Sequence, residues 1–260
     1  LEKCLMEALC IELGCTEDNL SAVLQHRLGI DSIKSLAANP NTIESVQVLT
    51  PVLNPIWGSL HLNECVQKWI GTYDKEFIQF STQKIYPKDK IMQLKNEKVE
   101  AYPSHQKYQL SNGQIGFVRS IYKGYANLIY AGIPNESFGK RGVSGEDSET
   151  PIELAYSITI HKSQGLTFEH VVIDAGASFA PGQVYVALSR CKTLEGIVLA
   201  TPISANTLSS DPTASNYIKR QDEEAARSIG TLDRIKQDYH RAMLQDLFSF
   251  SRLLTIQTSV

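Results

Sequence analysis

Apolar residues recur at helical spacing through the first 45 positions. Leu5, Leu9 and Leu13 lie four apart and share one helical face, and Gly14 is placed to stop that helix. Thr16 or Asp18 is placed to cap a second helix carrying Leu20, Val23, Leu24 and Leu28. Asp31 is placed to cap a third, which Asn39-Pro40 ends. The pattern then changes. Val46-Gln47-Val48-Leu49-Thr50-Pro51 is a short β-rich run ending at a proline, as a buried strand entering a loop would be. Leu60, Leu62, Val66 and Trp69 predict a helix after it.

Residues 85–135 read as small antiparallel strands. Ile91, Met92 and Leu94 sit in one of them. Asn112-Gly113, between Tyr108-Gln109-Leu110 and Ile115-Gly116-Phe117-Val118, is a hairpin signal. Lys123-Gly124 marks a second turn, between Ile121-Tyr122 and Asn127-Leu128-Ile129-Tyr130. Residues 134–150 are rich in Gly, Ser, Glu and Asp and read as a loop.

From Pro151 strands and helices alternate. The predicted strands are Glu153–Ile160, His170–Asp174 and Glu195–Ala200, with a helix over 181–191 that has Pro181 near its first turn. Such alternation predicts a parallel α/β sheet. Residues 213–254 are helical, with Gly230 separating two helices. The second carries Leu232, Ile235, Tyr239, Met243, Leu247 and Phe250 on one face.

Composition bounds this picture. With 260 residues, 42% hydrophobic and 20% charged, the chain has enough apolar material for a real core and is not a disordered polymer. A net charge of −3 gives no global attraction to nucleic acid, so any such surface must be local. The five cysteines form no Cys-x-x-Cys pair and no Cys/His cluster with zinc spacing, so no metal site is expected. The odd count points to free thiols in a reducing cytoplasm. No apolar run approaches the ~20 residues that span a bilayer, and no membrane partner is expected. The start at Leu1-Glu2-Lys3-Cys4 has no secretory pattern and no initiator Met, as in a piece of a longer protein.

The segment Thr159-Ile160-His161-Lys162-Ser163-Gln164-Gly165-Leu166-Thr167-Phe168 is the richest in chemistry. A strand runs into a basic pair and then a glycine that permits a tight turn or a close approach to a ligand. Positions just past a strand's C-terminal end are where α/β sheets bind ligands, and a lysine there suits a phosphate. The plainer possibility is a strand, loop and helix with a solvated basic pair. Further on, Gly182-Gln183-Val184-Tyr185-Val186-Ala187-Leu188-Ser189-Arg190 ends in an arginine. That residue could compensate a helix end or neutralise phosphate charge.

These two segments resemble motifs V and VI of a RecD-like superfamily-one DNA helicase. The resemblance implies a RecA-like parallel sheet with helices on both faces, an inserted small SH3-like β-barrel, and flanking helices at both ends. The divisions are 1–45 (N-terminal helices), 46–95 (first part of the RecA-like domain), 96–150 (SH3-like insertion), 151–205 (second part, with motifs V and VI) and 206–260 (C-terminal helices). It implies that Thr159 and His161, with Lys162, face single-stranded DNA. It puts Gln164, Gly165, Thr167 and Gln183 near the nucleotide and makes Arg190 the catalytic arginine that reaches the γ-phosphate. Related helicases carry an acidic residue where Thr167 stands here. Leu49-Thr50-Pro51, Gly58 and Leu62-Asn63 resemble the motif IV region more weakly. Leu53-Asn54-Pro55 stands there where relatives usually have arginines.

Asp89–Asn96 and Asn112–Gly116 resemble the two ends of the SH3-like barrel, with Lys90 and Lys95 as DNA contacts. Between positions 75 and 123 nine Lys/Arg face four acidic residues, an excess of five positive charges. Tyr86, Tyr102, Tyr108, Phe117, Tyr122 and Tyr125 interleave with them, the combination of charge and stacking that single strands favour, although such tyrosines also build small barrel cores.

No Gly-x-x-x-x-Gly-Lys-Ser/Thr cradle and no Walker-B acidic pair occurs. ATP and Mg²⁺ are therefore expected in a full-length protein, held mainly by an N-terminal motor domain. This chain alone would bind neither stably and would not hydrolyse ATP. The expected function is the C-terminal half of an ATP-dependent DNA helicase. The alternative is a non-catalytic module, derived from a helicase, that binds nucleic acid or a partner.

Overall fold

Two sheets of opposite character meet within the first 209 residues. The computed structural model describes residues 2–54, 56, 58–74, 76–80, 83–141, 151–176, 180–203 and 212–249. In chain order, helices α1 (Glu2–Leu13), α2 (Leu20–Arg27) and α3 (Ile33–Ala38) lead to β1 (Val46–Thr50) and α4 (Ser59–Ile70). Nine short strands follow: β2 (Ile78–Phe80), β3 (Gln83–Ile85), β4 (Lys90–Gln93), β5 (Glu97–Glu100), β6 (Lys107–Leu110), β7 (Ile115–Tyr122), β8 (Tyr125–Tyr130), β9 (Phe138–Arg141) and β10 (Ile152–Leu154). Then come β11 (Ser157–Thr159), β12 (His170–Asp174), α5 (Gln183–Leu188), β13 (Ile197–Thr201) and α6 (Pro212–Leu247).

The first sheet is parallel, in the order β11-β1-β12-β13. All five residues of β1 are buried, as expected of a strand covered on both faces of a parallel sheet. Of its two polar residues, Gln47 and Thr50, Gln47 donates from Nε2 to the carbonyls of Ala155 (3.1 Å) and Tyr156 (3.0 Å). The expected α/β architecture is present.

The second sheet is antiparallel, in the order β10-β4-β7-β8-β9. It reaches beyond the expected insertion at 96–150, because β4 and β10 lie outside those limits, yet β10 pairs with β4 and β4 with β7. Residues 153–160 are therefore not one strand. Ile152–Leu154 joins the antiparallel sheet, and Ser157–Thr159 joins the parallel one beside β1. Asn63 on α4 holds this crossing: its Nδ2 donates to the carbonyls of Leu154 (3.0 Å) and Ser157 (2.9 Å), and its Oδ1 accepts the Ser157 N–H (2.7 Å).

Of the two expected turns, Lys123-Gly124 is a true two-residue hairpin. Tyr122 pairs with Tyr125, and both loop residues have positive φ, 48° and 78°. Asn112-Gly113 is not a hairpin of paired strands. β6 pairs with β5, whereas β7 pairs with β4 and β8, so this turn carries the chain from one ladder to another. The expected loop at 134–150 contains β9, and residues 142–150 lie outside the described residues.

The N-terminal helices follow their apolar spacing. Leu5, Ala8, Leu9 and Leu13 are the buried residues of α1. Each fully buried leucine contributes about 1.5–3 kcal/mol of transfer free energy. Gly14 ends α1 at φ 62° in a Schellman pattern, with Cys15 N–H on the Cys10 carbonyl and Gly14 N–H on the Ile11 carbonyl. Ser32, not Asp31, caps α3, accepting the Ser35 N–H (3.4 Å), while Asp31 Oδ1 accepts the Ser32 N–H (2.8 Å). The C-terminal unit begins at Ser210 and holds α6. Gly230 does not break that helix, which runs unbroken through 36 residues. Phe250 lies outside the described residues. Among the described residues no helix is long and apolar enough to cross a membrane.

Candidate nucleotide and nucleic-acid interface

The C-terminal ends of β1, β11, β12 and β13 form one edge of the parallel sheet. A polar row crosses it: buried Asp174 accepts from Thr201 Oγ1 (2.7 Å) and from Thr50 Oγ1 (3.4 Å). Sequence patterning treats Asp174 only as a strand end, because its partners lie on distant segments. Just beyond this edge sit the loop after β11 and helix α5.

The loop after β11 is a sequence of tight turns held by its own backbone. Ser163 N–H donates to Thr159 O (3.1 Å), Gln164 N–H to His161 O (3.2 Å), and Leu166 N–H to Ser163 O (3.0 Å). Buried Ser163 adds an Oγ bond to Ile160 O (2.7 Å), and Thr159 Oγ1 accepts the Lys162 N–H (3.3 Å). Gly165 sits at φ 86°, and a Cβ there would meet nothing within 4 Å. The glycine thus serves the backbone turn and not a close internal approach. His161, Gln164 and Thr167 are exposed, whereas Thr159 is half-buried. Lys162 is paired with Glu153 on β10, so its charge already has a partner.

Helix α5 is short, and Arg190 lies two residues beyond its end. Arg190 Nε donates to Val186 O (3.1 Å), Nη1 to Leu166 O (3.2 Å) and Nη2 to Ser189 Oγ (3.0 Å). A guanidinium has five N–H donors, so two remain for an outside acceptor. The side chain is half-buried and bonded mainly to backbone. A parallel bridge between Phe168 and Cys191 stitches the same two segments together, with Phe168 N–H on Arg190 O (2.9 Å) and Lys192 N–H on Phe168 O (3.1 Å).

Of the expected nucleotide residues, Gln164 and Gln183 line one cavity and Thr167 another, and Gly165 and Arg190 line neither. His161, Gln164, Gly182, Gln183 and Tyr185 help line a cavity of about 220 Å³. Thr167 lines a separate, more polar one of about 370 Å³, with Glu44, Glu169 and Lys192. Gln183 is buried, and its Nε2 reaches Pro51 O (3.3 Å), tying α5 to the loop after β1. His161, expected on the DNA side, and Gln164, expected on the nucleotide side, therefore border the same cavity.

Lys90 corrects the sequence reading. It is fully buried, with Nζ donating 2.8 Å to Val46 O, so it cannot touch DNA. Burial pulls its ammonium down to about 7, opposed by Glu44. Next to it, buried Asp89 accepts from Tyr86 N–H (2.7 Å), Gln67 Nε2 (2.6 Å), Thr72 Oγ1 (2.7 Å) and Tyr156 O–H (3.0 Å). Burial pushes its carboxyl up to about 6 in spite of those bonds. Lys90 joins the two sheets, Asp89 ties β4 to α4 and to the crossing at Tyr156, and both belong to the core. Lys95 is half-buried, just past β4.

The interleaved aromatics divide. Phe117 and Tyr86 are core, and Tyr108 is half-buried with its ring edge on Phe138. Tyr102, Tyr122 and Tyr125 are exposed. At the β7–β8 tip Lys123 lies over the Tyr122 ring (5.2 Å), and Arg141 lies over the Tyr125 ring (5.7 Å).

Comparison with known proteins places the similarity where this geometry is densest. Residues 154–198 match the UvrD-like helicase C-terminal domain family. The ATP-dependent DNA helicase PIF1 of Homo sapiens is 51% identical over 49 residues, 19% of this chain and 8% of that protein. The ATP-dependent DNA helicase Pif1 of Psychrobacter sp. is 54% identical over 52 residues, 20% of this chain and 8% of that protein. The crystal structure of Pif1 helicase from Bacteroides in complex with ADP-AlF3 and ssDNA is similar over 74% of this chain and 49% of that one, with TM-score 0.52 and 22% identity. At that identity the likeness shows the fold. The chain spans about half of that solved helicase, and the matched stretches are a small part of the curated ones. The relatives are Pif1 helicases, so the expected RecD-like specificity is not supported; the coarser reading, similarity to the C-terminal part of a superfamily-one helicase, stands.

Proposed function

We propose that this chain is the C-terminal part of a Pif1-type ATP-dependent DNA helicase, gripping single-stranded DNA and completing an ATP site held mainly by an N-terminal motor domain. The observation that carries the reading is the joint placement of the loop after β11 and Arg190 at one edge of the parallel sheet, inside the segment similar to helicases. Exposed His161, with Thr159 and Lys162 beside it, supplies donors to a phosphate backbone. Lys95 and the stacked pairs at the β7–β8 tip, in the body read as an SH3-like insertion, extend that grip.

The residues present fit one flank of a nucleotide. Arg190 has spare donors, and Gln164, Gly165 and Thr167 stand on the adjoining loop. Arg190 would neutralise charge on the terminal phosphate, because a planar and permanently charged fork is suited to that task. Gln183 acts by holding α5 against the loop after β1. Bound Mg-ATP supplies the free energy of phosphoryl transfer, and the cradle for it is expected outside this chain.

The test is Arg190→Lys in the full-length protein. The expected result is loss of ATP turnover by about 10³-fold or more with single-strand affinity nearly unchanged. Equal loss of both would make Arg190 a structural tie between its two segments, acting through its one side-chain bond across them, to Leu166 O. It would then favour the non-catalytic module.

A further inference from the structure

Outside the helicase-like segment, one cluster of metal-binding chemistry has no role in the proposed motor. His61 and Cys65 lie four apart on α4 and so share a face, and Glu2 at the start of α1 reaches them. One ligand atom from each lies within 4.8 Å of the others. His61 Nε2 is the common vertex, 2.8 Å from Glu2 Oε1 and 3.6 Å from Cys65 Sγ. The cysteine is buried, the imidazole is partly covered, and the carboxylate faces solvent.

We propose that Glu2, His61 and Cys65 form a zinc-class divalent metal site that staples α1 to α4. Zinc binds sulfur at about 2.3 Å and imidazole nitrogen at about 2.0 Å, which at a tetrahedral angle sets them about 3.5 Å apart. The sulfur-to-nitrogen separation already matches. The carboxylate must draw back by about half an ångström to let the ion in, and an exposed glutamate does so freely. A thiolate, an imidazole and one carboxylate are a donor set that selects zinc over magnesium or calcium, with water in the fourth position. Binding replaces the Cys65 S–H bond with a sulfur-to-metal bond and releases the proton to solvent. Sequence spacing alone misses the site, because Glu2 lies 59 residues before His61.

The test titrates the intact chain with Co²⁺ as a spectroscopic probe and then displaces it with Zn²⁺. The expected result is one cobalt per chain with a sulfur-to-cobalt charge-transfer band. Cys65→Ser should abolish the band, and His61→Ala should weaken affinity by more than about 100-fold, beyond what loss of an outer-sphere partner costs. Glu2→Gln, a change at an exposed position that leaves the fold intact, should weaken binding as well. Cobalt bound without a thiolate band, or bound equally by Glu2→Gln and the parent chain, overturns the site. Circular dichroism of each metal-free variant separates lost ligation from lost fold.

Discussion

Lys90 and Arg190 are both cations that donate to backbone carbonyls, yet they belong to regions with different physics. Lys90 lies between the sheets with no solvent contact, beside an equally buried Asp89 whose four donors come from four different parts of the chain. Arg190 lies at the rim of the parallel sheet, half-buried, with donors to spare. A charge whose solvation has been wholly replaced by the protein is committed to the fold, because releasing it leaves orphaned polar groups in a dry core. A charge at the rim can exchange one acceptor for another at little cost. Rim placement, more than charge or proximity to a motif, separates a candidate working cation from a structural one.

This contrast can be broken experimentally. Asp89→Ala should be the most damaging change, destabilising the chain by about 4 kcal/mol in urea unfolding, because four buried donors lose their acceptor. A cost below 1 kcal/mol would place the region outside the core. Lys90→Met should change the pH profile of stability. Folded Lys90 gives up its proton near 7, while the unfolded chain keeps it to 10.5, so the unfolded state binds more protons in that window and stability rises with pH there. That rise should vanish in Lys90→Met, and its persistence would assign it elsewhere. Asp89 acts in the acid window: folded, it holds its proton to about 6 against 3.8, so its contribution is present below 3.8 and is lost as pH rises through 6. Gly165→Ala should cost about 1 kcal/mol through strain at positive φ alone. Arg190→Ala should cost about 1 kcal/mol or less in stability, a figure set by its half-exposed bonds. A loss as large as that for Asp89→Ala would erase the distinction between rim and core.

Local chemistry was legible in the sequence, whereas pairing was not. The stop at Gly14, the strand at Val46–Thr50 and the Lys123-Gly124 hairpin each depend on a few adjacent residues, and each reads correctly. Asn112-Gly113 has equally good turn chemistry. The partners of its flanking strands are chosen by segments as far apart as Lys90 and Phe117, which no turn residue encodes. Lys90 fails for a similar reason: its acceptor, Val46 O, lies 44 residues earlier, so a lysine in a basic stretch looks solvated until the sheets are assembled. At the candidate site, the loop after β11 and Arg190 carry a local pattern. The support given by Asn63, Gln183 and Asp174 does not, because an amide or carboxylate that satisfies distant backbone has no local signature.

The crossing at Ala155-Tyr156 leaves little slack. Two residues separate the last rung in the antiparallel sheet from the first in the parallel one, and an extended chain advances only about 3.5 Å per residue. Asn63 grips both sides of that gap. A displacement of β11 itself therefore has only this dipeptide to absorb it before it reaches β10. The two sheets are geared, and the gear tooth is a dipeptide.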